Sequence, residues 1–131
     1  MRALQRVMCV EDDPDIRLIL GFSLRNVGGY EVLLAESGAA ALSEVAQFQP
    51  DLVLLDVMMP GLSGPETLTA LRGLSCMTGV PIVFLTAKAM PDQLESLLQL
   101  GATGVIVKPF DPVRLPADLL IYWEHGRGPA A

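Results

Sequence analysis

No apolar run in the 131-residue chain approaches the roughly 20 residues a membrane helix requires; Val7 to Val10, Leu52 to Leu55 and Ile82 to Leu85 are strand-sized. Membrane insertion is not expected, and the protein reads as soluble. The amino terminus lacks the long apolar stretch and small-residue cleavage site of a secretory signal, so a cytoplasmic location is expected. Clusters of Lys and Arg are missing too. With a formal net charge of −6, the chain does not attract phosphate backbones, which disfavours direct binding to nucleic acid. Cysteine is scarce: Cys9 sits inside an apolar run and Cys76 in a loop, without metal-ligand spacing, and both are expected to be reduced thiols. Repeats and low-complexity tracts are absent. The length leaves room for one domain, expected over residues 1–125, with 126–131 as a disordered tail.

What the chain does contain is an alternation. Short, almost wholly apolar segments at Arg6 to Val10, Glu31 to Leu34, Leu52 to Leu55, Ile82 to Leu85 and Val105 to Val107 are separated by longer stretches of helical period. Strands buried on both faces look like this, and they imply a parallel sheet covered by helices on each side. Met8, Cys9 and Phe84 are assigned to the core. Asp13 and Pro14 start the first helix, which ends near Gly28 and Gly29, with Ile16, Ile19, Leu20, Ser23, Leu24 and Val27 as its inward stripe. Leu18 and Phe22 fall outside that stripe, and the last helix is expected to cover them. Ser37 caps a second helix reaching Phe48; Gly64 and Pro65 open a third, carrying Leu68, Leu71 and Leu74; Pro91 opens a fourth ending at Gly101. Pro116 would interrupt a helix begun at Asp111, so the last regular helix is placed from Leu115 to Glu124.

Ligands of open α/β sheets bind beyond the carboxyl ends of the strands. Glu11 and Asp12 follow the first run, Asp56 the third, Thr86 the fourth and Lys108 the fifth, whereas the second ends in Ala35. That second strand is accordingly placed at an edge, with the other four bordering one site. Three converging carboxylates repel one another unless a cation lies between them. Mg²⁺ takes one or two carboxylates together with waters and phosphate oxygens, which suits Asp12 and Asp56 as direct ligands with Glu11 acting through water. A carboxylate can attack phosphorus to form an acyl phosphate, for which Lys108 offers a counter-charge and Thr86 a hydroxyl. Taken singly, each residue has a plainer reading: Asp13 as a helix cap, Asp56 as a turn residue, Thr86 as a turn cap, Lys108 as a snorkelling side chain. His125 has no other feature in the sequence to support a phosphate-relay role.

The sequence resembles the receiver domains of bacterial response regulators. The matching pieces are Val10-Glu11-Asp12-Asp13, Asp51 to Gly61 around Asp56, Leu85-Thr86-Ala87, and Gly101-Ala102 leading to Val107-Lys108-Pro109-Phe110. The resemblance implies a flavodoxin-like doubly wound sheet of five parallel strands, order 2-1-3-4-5, with five helices. It further implies Asp56 as phosphoacceptor, Glu11, Asp12, Asp56 and the main-chain carbonyl of Met58 around Mg²⁺, Thr86 as the switch hydroxyl, Lys108 as counter-ion, and a cis peptide before Pro109. The partners implied are a histidine kinase or phosphotransfer protein and a downstream protein, with the chain a monomer or weak dimer.

Two departures from the family pattern matter. Val105 stands where many receivers have an aromatic residue that rotates as the Thr moves, so the signal is expected through the segment from Thr86 to Met90 and the fourth helix. Met58 and Lys88, at positions that tune hydrolysis of the acyl phosphate, present no base for water, and slow self-dephosphorylation is expected. Two other classes of function compete. A phosphatase or phosphotransferase that turns over is disfavoured because Met58 occupies the place of a second Asp; an unphosphorylated scaffold is disfavoured by the intact set of Glu11, Asp12, Asp56, Thr86 and Lys108.

Overall fold

The five apolar runs form one parallel sheet, with β1 (Arg6–Val10), β2 (Glu31–Ala35), β3 (Leu52–Asp56), β4 (Ile82–Thr86) and β5 (Gly104–Val107) in the order β2-β1-β3-β4-β5. This computed structural model describes residues 3–88 and 90–126. Every residue of β3 and β4 is buried, as the unbroken hydrophobicity of their sequences requires. Side chains alternate across the sheet: Val7, Cys9, Leu52, Leu54, Val83 and Leu85 face one way, and Met8, Val10, Val53, Leu55, Ile82 and Phe84 the other.

Two helices close the first face. Leu20 of α1 (Pro14–Phe22), with Leu115, Leu119 and Trp123 of α5 (Leu115–Gly126), forms its core. The opposite face is covered by α2 (Gly38–Phe48), α3 (Gly64–Arg72) and α4 (Pro91–Gln99), through Ala41, Val45, Leu68, Leu71 and Leu97. Most helix starts follow from local chemistry. Asp13 Oδ1 accepts from the Asp15 and Ile16 amides, Ser37 Oγ accepts from the Ala40 amide, and Ser63 and Glu66 form a reciprocal capping box. Pro116 lies in the first turn of α5, where its missing N–H costs no helical hydrogen bond. The Lys108–Pro109 peptide is cis, as expected.

Three details differ from the sequence reading. The first helix widens into a π-helical turn over Ser23–Val27, and Ile19 and Val27, 43% and 44% exposed, lie off the inward stripe. Leu74 lies beyond the end of α3 and packs from the loop. Leu18 and Phe22 are 74% and 58% exposed. The last helix does share their side of the sheet, but its Leu115, Leu119 and Trp123 pack into the core with Leu20 and Leu24 and leave Leu18 and Phe22 uncovered. Helix α5 extends to Gly126, and the rest of the segment read as a tail lies outside the described residues. No helix among the described residues is long and apolar enough to cross a membrane.

Candidate functional site

Parallel pairing puts the strand ends level. Val10 is in register with Leu55, Asp56 with Leu85 and Thr86 with Val107, so the residues that follow these pairs emerge along one rim of the sheet. The register continues past the strands: the Glu11 amide donates to the Ala35 carbonyl, the Val57 amide to Leu85, and the Lys108 amide to Thr86. Glu11, Asp12 and Asp56 thereby offer carboxylate oxygens that all lie within 4.8 Å of one another. Glu11 and Asp56 are buried, while Asp12 is more open to solvent.

Lys108 lies between the two buried carboxylates. Its Nζ is 3.0 Å from Glu11 Oε1 and 3.1 Å from Asp56 Oδ1. Burial pushes the Glu11 carboxyl up to about 7, against the pull of the Asp13 amide and the Lys108 ammonium, with the neighbouring Asp56 charge adding to the rise. Asp56 is raised for the same leading reason, burial, again opposed by Lys108. Burial alone would lower the Lys108 ammonium, but the facing Glu11 and Asp56 carboxylates outweigh it and the net direction is upward. Glu11 Oε1 is buried without a hydrogen-bond partner, its contact with Lys108 Nζ at 3.0 Å being that of an ion pair. A cluster of hard oxygen donors carrying more negative charge than one lysine offsets, with one buried oxygen lacking a hydrogen bond, fits a small divalent cation such as Mg²⁺.

Thr86 is buried at the rim, and its Oγ1 accepts from the Lys88 amide at 3.1 Å, which leaves the hydroxyl proton free to donate. Met58 extends its side chain into solvent, with 65% exposure, so only its main chain can belong to the site. Below Asp56, α3 begins so close to the strand end that the Gly64 amide donates to the Val57 carbonyl at 2.9 Å. Of the residues expected at the site, the structure brings Glu11, Asp12, Asp56 and Lys108 into direct proximity and places Thr86 and Met58 at its border. Sequence reasoning missed Arg17. From α1 it donates through Nη1 to the carbonyls of Glu11 and Asp12, both at 2.9 Å. The only sequence signal was a cation one helical turn past the Glu11-Asp12-Asp13 run.

Residues 7–120 match the response regulator receiver domain family. The chain belongs to that family. Over 113 residues this receiver domain is 41% identical to the DNA-binding response regulator MtrA of Mycolicibacterium smegmatis, a match covering 86% of this chain and 48% of MtrA. The chain thus spans about half the length of that relative. It is also 39% identical over 121 residues to the sensor protein GacS of Pseudomonas syringae, covering 90% of this chain and 13% of GacS. Among solved structures, the Vibrio cholerae chemotaxis protein CheY4 superposes with a TM-score of 0.85 at 34% identity, covering 92% of the receiver domain and 99% of CheY4. The receiver domain of the sensor histidine kinase PA1611 from Pseudomonas aeruginosa, described with a magnesium ion coordinated in its active site cleft, gives 0.82 at 30% identity, covering 93% and 99%.

Proposed function

We propose that this receiver domain is a phosphoacceptor switch: Asp56 takes a phosphoryl group from a histidine kinase or phosphotransfer protein in a Mg²⁺-dependent reaction, and the domain then changes its binding to a downstream protein. One observation carries the reading: the convergence of the Glu11, Asp12 and Asp56 oxygens within 4.8 Å, beside the Lys108 ammonium. The metal would be held by Asp12, Asp56 and the Met58 carbonyl, with Glu11 in support. When bound, it offsets charge on the phosphoryl oxygens.

An Asp56 carboxylate oxygen attacks phosphorus, the phosphorus–nitrogen bond of the donor phosphohistidine breaks, and the imidazole leaves with the electron pair and takes up a proton. Lys108, already 3.1 Å from Asp56 Oδ1, needs only a small shift to meet a phosphoryl oxygen. Thr86 donates its free hydroxyl proton to a second one. The domain acts in the cytoplasm, monomeric or weakly dimeric, and its charge of −6 supports a protein target rather than nucleic acid.

Incubation with a small acyl phosphate and Mg²⁺ tests the reading by intact mass. One phosphoryl group is expected in the wild type, with none after chelation and none in Asp56→Asn. Incorporation that persists in Asp56→Asn overturns the assignment, and continuous release of phosphate at many turnovers per minute would favour a phosphatase.

A further inference from the structure

Arg17 stands where a helix least favours a cation. It lies within a turn of the amino-terminal end of α1, where the exposed N–H groups already carry partial positive charge. Helical side chains lean toward that end, and Arg17 uses the lean to reach past the Asp13 cap. Its Nη1 donates at 2.9 Å to the carbonyl of Glu11 and at 2.9 Å to that of Asp12. Those carbonyls belong to the two peptide planes flanking the Asp12 Cα. One nitrogen bonded to both fixes the planes relative to each other, and so fixes the direction in which the Asp12 side chain leaves the backbone. The Asp13 amide, donating to Glu11 Oε2 at 3.1 Å, holds the neighbouring carboxylate in the same turn.

We infer that Arg17 is a positioning residue of the metal site: it holds the turn after β1 so that Asp12 and Glu11 converge on Asp56. The inference rests on the reading of that cluster as a Mg²⁺ site. Two effects of Arg17 on a bound cation have opposite signs. As a charge it repels Mg²⁺, so its removal would tighten binding. As a clamp it preorganises the ligands, and losing such outer contacts weakens metal affinity by about 10–100-fold. The clamp contribution is the larger one, because the guanidinium addresses the backbone rather than the carboxylates.

Calorimetric titration of the full chain with MgCl₂ tests this in the wild type, Arg17→Met and Arg17→Lys, with thermal unfolding of each recorded in EDTA. Arg17→Met is expected to raise the Mg²⁺ Kd about tenfold. Arg17→Lys keeps a donor on a flexible stem and should recover most of the loss, while melting close to the wild type in EDTA. If Arg17→Met does not fold, Arg17→Gln replaces it with the same expectation. Unchanged or tighter binding in the variant that removes the cation overturns the inference alone. So does a loss no larger than the unfolded fraction in EDTA explains. A wild type that does not bind Mg²⁺ overturns the underlying reading together with the inference.

Discussion

Gly64 packs so closely beneath Asp56 that a Cβ there would stand 2.4 Å from the Asp56 carbonyl oxygen and 2.7 Å from the Val57 Cα. Both obstacles are backbone, so neither can rotate away. Gly64→Ala must therefore push the start of α3 off the strand end, at a cost of about 1–3 kcal/mol by analogy with overpacked cores. The displacement acts on the residue proposed to be phosphorylated. Urea unfolding should show the loss of stability, and phosphorylation by a small donor should slow at saturating Mg²⁺. A variant with wild-type stability would mean that the contact relaxes at no cost.

The Glu11 carboxyl titrates at about 7 in the folded chain against an ordinary value of 4.5. Between those two values the folded state holds a proton that the unfolded state has released, so in the absence of metal stability is expected to fall as pH rises through that window. Asp56, raised in the same direction, adds to the trend. Lys108 stays protonated throughout and does not alter it. Mg²⁺ inverts the balance, because it displaces the proton from the cluster. Denaturant unfolding in EDTA should therefore give decreasing stability from pH 5 to pH 8, and Mg²⁺ titration should give increasing affinity over the same range. A pH-independent Mg²⁺ affinity would count against Glu11 as part of the site.

Met58 projects into solvent beside the acceptor, and neither its thioether nor the nearby exposed Lys88 offers a base to an attacking water. The acyl phosphate is expected to be long-lived for this reason. Met58→Asn supplies an amide that can orient water, and the lifetime measured by phosphate release should shorten severalfold. A wild-type lifetime already as short as that of the variant would show that another group activates the water.

Val105 packs into the core on the α2, α3 and α4 side, while its carbonyl accepts a 3.2 Å hydrogen bond from the Tyr122 hydroxyl. Tyr122 lies against Gly104 so tightly that a Cβ on Gly104 would meet the ring at 2.2 Å. The aromatic side chain bordering β5 is thus pinned by α5, and Val105 has no ring to rotate. With a phosphoryl mimic bound, changes in amide exchange are expected at residues 86–90 and in α4, with β5 and Tyr122 left unaltered. Changes confined to β5 and α5 would refute this route.

Much of this architecture was legible because buried parallel strands need unbroken apolar runs, and because Asp13, Pro14, Ser37 and Pro91 mark helix starts by simple hydrogen-bond chemistry. The site was legible for a related reason: strand ends in register bring Glu11, Asp12, Asp56 and Lys108 together however the loops run. The π-helical turn at Ser23–Val27 was not legible, since one wider turn leaves the sequence period almost unchanged. Arg17 escaped notice because its role lies in main-chain carbonyls that no residue type encodes. The exposure of Leu18 and Phe22 depended on which groove α5 fills, a long-range choice that the local pattern of α1 does not contain.

Ser23, buried in the π-helical turn, donates its hydroxyl to the carbonyl of Pro112, 89 positions along the chain. The same face is completed by Leu115, Leu119 and Trp123, which lie against strands made far earlier. During synthesis, β1 has to wait for β3 on one side and for α5 above it, and contacts of such separation are slow to form. A ribosome that has not yet released α5 holds a chain whose first helix is missing its partner and whose central strands are open on one face, so the receiver fold is completed only once α5 has emerged.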